Sequence, residues 1–493
     1  MTPEQAKSAL AAHLRQTAAL SQAAGLLSWD QETMMPERGA EARSEQLAAL
    51  EAAIHERRCD PRIPEWAEAL GDRLTPLEAA NRREALRSYE RARKIPLRLA
   101  TELARQTAMA HGVWAAAKEA ERFADFAPTL GRIIALKREE AACLAQTGAD
   151  LYDALLQGFE PDMTTEACAA LLGALRPRLS ALRAALADRP APAMPQGPFA
   201  HEAQIALSRQ LATCFCYDWT AGRLDEAVHP FSMGQGGDVR ITTRVSPDNP
   251  FEAIYSTIHE AGHAVYEQRI DPALAFSPAG TEASMGVHES QSRMFENQMG
   301  RSRAFAEWLW PRFCDAFGPA GLAGPEDLWR AANRFETGFR RTKADEVHYN
   351  LHVILRFDLE RALISGDLAI TDLETAWNDR FEADFGRKVP HAGLGVLQDV
   401  HWSAGFFGYF PTYSVGNIYA GCLFAALERA QPDLGHSLET GALQKPIGWL
   451  TEAVHRHGRV ISASALIERA TGAPPRPEPL LDYLEAKFAA LYP

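Results

Sequence analysis

Five consecutive residues in the second half of the chain have the types and spacing of a catalytic metal site. His259-Glu260-Ala261-Gly262-His263 is an HExxH pattern. In a helix, residues four apart lie one turn apart on the same side, so both imidazoles can reach one ion at about 2.0–2.1 Å. Glu260 can then act as general base toward the water that attacks a peptide bond. The pattern therefore predicts a zinc peptidase site, with cobalt as the alternative ion.

The third protein ligand of this site is predicted to be a carboxylate. A third histidine at the spacing HExxHxxGxxH is absent, because Tyr266 and Arg269 occupy the places of its glycine and histidine. Glu282 has the spacing found in zinc aminopeptidases, but it lies in a segment predicted to be a loop. Glu289 lies near the start of a helix predicted over 287–299, on which Arg293 shares its face and would support it. Of the two carboxylates, Glu289 is favoured.

The elements that must position these residues are predicted to be helices. Apolar residues recur at three- and four-residue spacing through long alanine- and leucine-rich stretches. The metal motif lies on a predicted helix that is capped by Asn249, begins at Pro250 and buries one apolar face. Other predicted helices cover residues 2–24, 41–56, 76–94 and 96–121.

Two segments interrupt the helical pattern. Residues 188–198 hold four prolines and a glycine, which no helix tolerates. Residues 227–245 contain short β-branched runs on either side of a glycine-rich turn, which predicts a small hairpin near the metal motif. We expect a mainly α fold organised as a single domain over residues 1–493. Within it, residues 1–198 form an N-terminal helical part and residues 199–493 carry the metal and catalytic motifs.

The composition excludes several classes of protein. With 51 Lys and Arg against 64 Asp and Glu, the formal net charge is −13, which argues against a nucleic-acid binder. There is no run of 18 or more apolar residues, so no membrane span is predicted. Seven scattered cysteines and the lack of a secretory signal in the first residues predict a cytoplasmic protein with free thiols.

Six further sequence blocks follow one another in a fixed order along the chain. The blocks are SWDQETMMP at 28–36, HPF at 229–231, DVRIT at 238–242, HESQSR at 288–293, RTKAD at 341–345 and GVLQDVHW at 395–402. In this order they resemble the carboxypeptidase Taq family of zinc metallocarboxypeptidases. Each block is weak alone, whereas six in order over nearly the whole chain are specific. One position departs from the family pattern, since Arg340 stands where an aliphatic residue is usual.

The resemblance implies a fold and an activity. The expected fold is a mostly helical domain whose two halves flank a deep substrate groove with the zinc on its floor, and the expected assembly is a homodimer. The expected activity is stepwise release of C-terminal residues from peptides, with broad side-chain specificity. The block at 288–293 carries the family's third metal ligand, in agreement with Glu289.

Hydrolysis of a peptide bond also requires a donor to the oxyanion that develops on the carbonyl. The candidates are His401, Tyr409 and Tyr413, all in the segment HWSAGFFGYFPTY. Both tyrosines stay open as candidates.

Cleavage from the C-terminus alone requires a cation that binds the terminal carboxylate, and the planar fork of arginine suits this task. Arg240 and Arg341 lie in family blocks and are the first candidates, with Arg244 behind them. His229 is predicted to line the substrate subsites. Together these residues predict that the partners are peptides with a free C-terminal carboxylate.

Two other functions compete with this interpretation. An endopeptidase or dipeptidase of the same class would share the catalytic residues without the carboxylate-binding arginine. A helical scaffold that only retains zinc would have no need of Glu260. A second histidine pair, His348 and His352, lacks an adjacent glutamate and is expected to be buried and hydrogen-bonded rather than to bind metal.

Overall fold

Helices dominate the computed structural model, which describes residues 1–493. Twenty α-helices and one sheet of three short strands confirm the predicted mainly α class. The helices are α1 (Pro3–Thr33), α2 (Ala40–Arg58), α3 (Arg62–Ala69), α4 (Pro76–Lys94), α5 (Leu97–Glu119), α6 (Phe123–Leu144), α7 (Leu151–Leu156), α8 (Thr165–Leu186), α9 (His201–Cys214), α10 (Phe251–Gln268), α11 (Met285–Arg293), α12 (Arg303–Phe317), α13 (Pro325–Ala332), α14 (Glu346–Ser365), α15 (Leu373–Phe385), α16 (Phe410–Ala430), α17 (Leu434–Thr440), α18 (Gln444–Ala453), α19 (Ala463–Thr471) and α20 (Glu478–Leu491). The strands are β1 (Leu224–Glu226), β2 (Ser232–Gln235) and β3 (Asp238–Thr243). None of the helices is both long and apolar enough to cross a bilayer.

The chain divides into two compact units. Unit 1 comprises Met1–Arg93, Pro192–Ala332 and Cys422–Pro475. Unit 2 comprises Lys94–Ala191, Asn333–Gly421 and Arg476–Pro493. Each unit draws on both sides of residue 198, and the single domain over residues 1–493 stays a prediction.

The helix of the metal motif, α10, lies in the core of unit 1. Fourteen of its residues are buried, so it is covered on more than the one face that the apolar pattern predicted. It packs against β3, α9 and α11. The helix begins at Phe251, one residue later than predicted, so its N-cap is Pro250 rather than Asn249. The side-chain oxygen of Asn249 nevertheless accepts the Phe251 N–H at 3.1 Å.

The predicted hairpin consists of β2 and β3, which pair antiparallel with Met233 opposite Arg240. Its turn needs glycine, because Gly234 has φ +123° and a Cβ there would lie 1.9 Å from the Asp238 carbonyl oxygen. A third strand, β1, pairs parallel with β3, in the order β1-β3-β2. The sequence did not predict β1, since a three-residue parallel strand has no pattern of its own.

The central helix of unit 2 is α14. It begins with an Asp345 cap that accepts the N–H groups of Val347 and His348, each at 2.9 Å, and ends at Gly366 in the left-handed region. Most of its residues are buried, and α6, α7, α8 and α15 pack around it. Polar side chains of α14 are therefore buried among the helices that surround it.

Candidate active site

Three side chains of unit 1 converge as a metal-binding set. Each of the three residues offers one ligand atom, and these atoms lie within 4.8 Å of one another; the residues are His259, His263 and Glu289. The Nε2 atoms of His259 and His263 lie 4.0 and 3.7 Å from Oε2 of Glu289, too far for hydrogen bonds. Ligands bound at about 2.0–2.2 Å around a tetrahedral ion lie about 3.3–3.6 Å apart, so this donor set fits a divalent ion of the zinc type. The assignment of these residues as ligands stays a prediction.

Gly262 allows α10 and α11 to approach each other closely. A Cβ at this position would lie 2.6 Å from Cα of Ser292 and 2.7 Å from the carbonyl oxygen of Gln291. Both are backbone atoms of α11, so no rotation of a side chain would relieve the clash. The close approach explains why a poor helix former stands in the middle of the motif.

Glu296 orients the first histidine. Its Oε2 accepts a hydrogen bond from Nδ1 of His259 at 2.9 Å, which leaves Nε2 directed toward Glu289. Burial alone would raise the pKa of Glu296, but this hydrogen bond and the nearby Arg293 and Arg301 hold it well below its usual value. The predicted helix over 287–299 takes a different form, because a π-helix from Met294 to Gly300 continues α11 and carries Glu296.

Arg293 orients Glu289, the predicted carboxylate ligand. Its Nε donates to Oε1 of Glu289 at 2.7 Å, which leaves Oε2 facing the histidines. The rival carboxylate, Glu282, instead accepts a hydrogen bond from Arg459 at 3.2 Å. It is not part of the converging set.

Glu260 follows the first histidine on α10 and is 6 % exposed. Burial raises its pKa to about 7. A carboxyl group with a pKa near neutrality can both accept and release a proton, which is the property that a general base and acid requires.

A supporting pair beside the second histidine was not predicted. The ring of His288 stacks on that of His263 with centroids 4.0 Å apart and planes 14° apart. Nε2 of His288 lies 3.5 Å from Oε1 of the buried Glu267. The sequence feature that could have indicated Glu267 is its i, i+4 spacing from His263 on one helix face.

The oxyanion candidates lie in unit 2. Nε2 of His401 and the hydroxyl of Tyr413 are 3.2 Å apart, within hydrogen-bonding distance. Burial lowers the pKa of His401 to about 4, so its ring is neutral at neutral pH. Tyr409 packs edge-on against Phe159 and Tyr413, with centroids 5.0 and 5.3 Å apart.

Arg341 is buried in unit 2 as part of an ion-pair network. Its Nε and one terminal nitrogen donate to Oδ1 of Asp399 at 3.1 and 3.0 Å, and the other donates to the Tyr349 hydroxyl at 3.1 Å. Asp399 also accepts a hydrogen bond from Arg356 at 2.7 Å. The neighbouring Arg340 is exposed, so of the two arginines only Arg341 has a buried guanidinium group.

The other carboxylate-binding candidates lie in unit 1. Arg240 pairs with Asp238 at 2.8 Å, and its guanidinium carbon lies 4.3 Å from the ring centroid of Trp29. Arg244 is more open to solvent and lies 3.8 Å from Glu252. His229 is exposed in the segment that precedes β2.

The second histidine pair is buried, as expected, on α14. Nδ1 of His348 lies 2.7 Å from Asp345, and its Nε2 lies 3.1 Å from the Thr337 hydroxyl. Nδ1 of His352 faces Arg356 at 3.4 Å. Both rings are thus used in packing and hydrogen bonding, and they do not form part of a metal-binding group.

Known proteins resemble this chain over nearly its whole length. The family model described as carboxypeptidase Taq (M32) metallopeptidase matches residues 9–488. Thermostable carboxypeptidase 1 of Thermus thermophilus is 41% identical over 100% of both chains, and carboxypeptidase 1 of Bacillus subtilis is 34% identical over 97% of each. A crystal structure of the M32 carboxypeptidase from Deinococcus radiodurans has a TM-score of 0.95 at 37% identity, with 99% of each chain covered.

Membership of a metallopeptidase family implies a divalent metal, which the set of two imidazoles and one carboxylate in unit 1 fits. The family match and the named relatives extend over nearly the whole chain. The chain therefore belongs to the carboxypeptidase Taq (M32) family of metallopeptidases and is a peptide hydrolase of the metallocarboxypeptidase class.

Proposed function

We propose that this protein is a zinc-dependent carboxypeptidase that releases C-terminal amino acids from peptides with broad specificity. The observation that carries the proposal is the convergence of His259, His263 and Glu289 with the buried Glu260 on the same helix. A structural zinc site needs four protein ligands and no base, whereas a hydrolytic site needs three ligands and a base. The residues present therefore favour catalysis over an inert scaffold.

The residues around the ion have separate tasks. His259, His263 and Glu289 would hold it, with Glu296 and Arg293 fixing the orientation of two of them. When bound, zinc would supply Lewis-acid polarisation of the attacking water and the scissile carbonyl. Cobalt is the alternative ion.

Glu260 would move the proton during hydrolysis. It accepts the proton of the attacking water and delivers it to the nitrogen of the leaving amino acid. Its place on α10, directly after His259, keeps the carboxylate on the helix that carries both histidine ligands.

We assign the oxyanion donor to the pair formed by His401 and Tyr413. The 3.2 Å contact between them holds the tyrosine hydroxyl in one orientation, and preorganised donors of this kind stabilise developing charge most effectively. Tyr409 stays a second candidate, with its ring fixed against Phe159.

Arg240 and Arg341 stay the two candidates for binding the terminal carboxylate, and His229 would line the subsites. Nε and one terminal nitrogen of Arg240 donate to Asp238, which leaves its other terminal nitrogen for a ligand. All three nitrogens of Arg341 already have partners in Asp399 and Tyr349. This difference in available donors favours Arg240 as the direct contact.

We also propose a cytoplasmic homodimer. All seven cysteines are free thiols, which supports a reducing compartment. The homodimer rests on the family resemblance, and light scattering coupled to gel filtration would test it against the monomer mass of 54.2 kDa.

The proposed activity is tested with three matched peptides: one with free ends, one with an acetylated N-terminus and one with an amidated C-terminus. Amidation removes the charge that the arginine binds, so cleavage should fall by about a hundredfold or more, while acetylation should have little effect. Mass spectra of timed digests should show ladders shortened only at the C-terminus. Chelation should abolish activity and zinc should restore it.

Other outcomes would change the assignment. Early internal fragments from the amidated peptide would indicate an endopeptidase, and cleavage restricted to dipeptides would indicate a dipeptidase. Arg240→Ala and Arg341→Ala identify the carboxylate-binding residue, because its loss should remove the preference for free over amidated peptides. Full activity after chelation would contradict the metallopeptidase mechanism.

A further inference from the structure

A buried carboxylate in unit 2 lies outside the mechanism described above. Glu360, on α14, is 0 % exposed. Oε2 accepts hydrogen bonds from the Tyr152 hydroxyl at 2.7 Å and from the Gly408 N–H at 3.0 Å, and Oε1 accepts one from Nε1 of Trp402 at 2.8 Å. Burying a carboxylate carries a large cost unless hydrogen bonds compensate it, so this placement calls for an explanation.

Two of the three donors stand at the ends of one short segment. Trp402 directly follows His401, and Gly408 directly precedes Tyr409. Gly408 has φ +84°, and a Cβ there would lie 2.6 Å from the backbone nitrogen of Leu156. The path of residues 402–408 is therefore set at both ends by Glu360 and by close contact with the end of α7.

The preceding residues are held from the same helix, one turn earlier. Arg356, also 0 % exposed, donates from Nε to Oδ2 of Asp399 at 2.7 Å. Because Arg356 and Glu360 are four residues apart, they lie on the same face of α14. His401 thus lies between one residue held by Arg356 and another held by Glu360.

We propose that Glu360 is a positioning residue for catalysis, which holds segment 402–408 so that His401 and Tyr413 keep their hydrogen-bonded geometry. Tyr413 lies one turn into α16, which begins at Phe410, and segment 402–408 is the link between that helix and His401. A displacement of about 1 Å in such a pair costs up to about a hundredfold in rate. The catalytic part of this inference rests on the proposed function, because it takes His401 and Tyr413 as the oxyanion donors.

The decisive variant is Glu360→Gln, which keeps size and shape but replaces one acceptor oxygen with a donor. The amide nitrogen must then face an N–H of Trp402 or Gly408, and one end of the segment is released. Two variants serve as controls. Tyr152→Phe removes a donor that is not part of the segment, and Asp384→Asn alters another buried acid of unit 2, one that lies 3.5 Å from Arg176 on α8.

Amide hydrogen exchange and steady-state kinetics are measured on the full-length, zinc-loaded protein. In Glu360→Gln, exchange over residues 402–409 should be about tenfold faster or more, while exchange in α10 and α11 stays unchanged. Its kcat should fall about tenfold or more with KM within about threefold, as expected when only transition-state interactions are lost. Both controls should stay within about threefold of wild type in kcat, and metal content should not change.

Each alternative result contradicts a defined part of the proposal. Unchanged exchange in Glu360→Gln would show that Glu360 does not hold the segment. Faster exchange with normal kcat would show that the segment is held without consequence for catalysis. An equal loss of kcat in Asp384→Asn would indicate general destabilisation of unit 2. If wild-type protein releases no C-terminal residues, the proposed function fails, and the exchange measurement alone then decides whether Glu360 holds the segment.

Discussion

Two side chains outside the converging set orient two of its three predicted metal ligands. Glu296 binds the far nitrogen of His259, and Arg293 binds the far oxygen of Glu289. The other nitrogen of His259 and the other oxygen of Glu289 face each other within the converging set. Partners of this kind typically affect metal affinity or activity by about 10- to 100-fold, so the chemistry of the site extends beyond the residues that touch the ion.

At the residue scale, one substitution can distinguish the role of the general base from the role of the predicted metal ligands. Glu260→Gln removes the proton acceptor without removing a ligand, so zinc content should stay near one ion per chain while kcat falls by about two to four orders of magnitude. Elemental analysis and peptide assays on the same preparation measure both quantities. An active Glu260→Gln enzyme would show that another group takes the proton.

The two carboxylates that the sequence left open can be separated in the same way. Glu289→Ala removes one of three converging donors and should lose zinc on dialysis. Glu282→Ala, the matched control, removes the side-chain hydrogen bond from Arg459 and should keep its zinc. Zinc loss from the control instead would place the third ligand at the aminopeptidase spacing.

At the scale of elements, the metal site depends on how closely α10 and α11 approach. At Gly262 the approach leaves no room for a Cβ, which would meet the backbone of Ser292 at 2.6 Å. The π-helix after α11 carries Glu296, and π-helical segments occur frequently at functional sites.

Gly262→Ala should force the two helices apart and thereby lower both the melting temperature and the affinity for zinc. The matched control is Gly173→Ala in the exposed middle of α8, where a Cβ meets nothing within 4 Å. That control should gain about 0.5–1 kcal/mol from the better helix propensity of alanine, with zinc affinity unchanged. Calorimetry and zinc titration compare the two variants. Equal behaviour of both would show that α10 and α11 can separate without cost.

At the scale of the whole molecule, two effects of pH oppose each other. The net charge of −13 shrinks in magnitude as the pH falls, which reduces repulsion and favours the folded state. Buried neutral histidines act in the opposite direction, because they resist protonation. His455 is 0 % exposed, its Nε2 lies 2.9 Å from Oε1 of Gln291, and burial lowers its pKa to about 3.

Between pH 6.5 and 3 the unfolded chain therefore binds a proton at His455 that the folded protein does not. The free energy of unfolding should fall as the pH is lowered through this window, by about 1.4 kcal/mol per pH unit from this residue alone. His455→Gln keeps an amide that can donate to Gln291 and should show a shallower slope by about that amount. Urea unfolding of the metal-free proteins from pH 8 to 4 measures both slopes, and parallel slopes would contradict the prediction.

The features that the sequence alone determined are those encoded over a few residues. The i, i+4 spacing of His259 and His263 is set by the geometry of one helix, so their adjacency follows from local structure. The mainly α class and the boundaries of α4 follow equally from local propensity and periodicity. The family blocks were recognisable because each is a short contiguous pattern.

The tertiary structure decided which distant residues complete these patterns. It brought Glu289 rather than Glu282 to the histidines, and it set β1 parallel to β3 across more than ten intervening residues. It also placed Trp402 and Gly408 on a carboxylate more than 40 residues earlier in the chain. Such contacts depend on how complete helices pack against each other. Short-range spacing does not specify this packing, because many residues of the same type along the chain could contact the same buried partner.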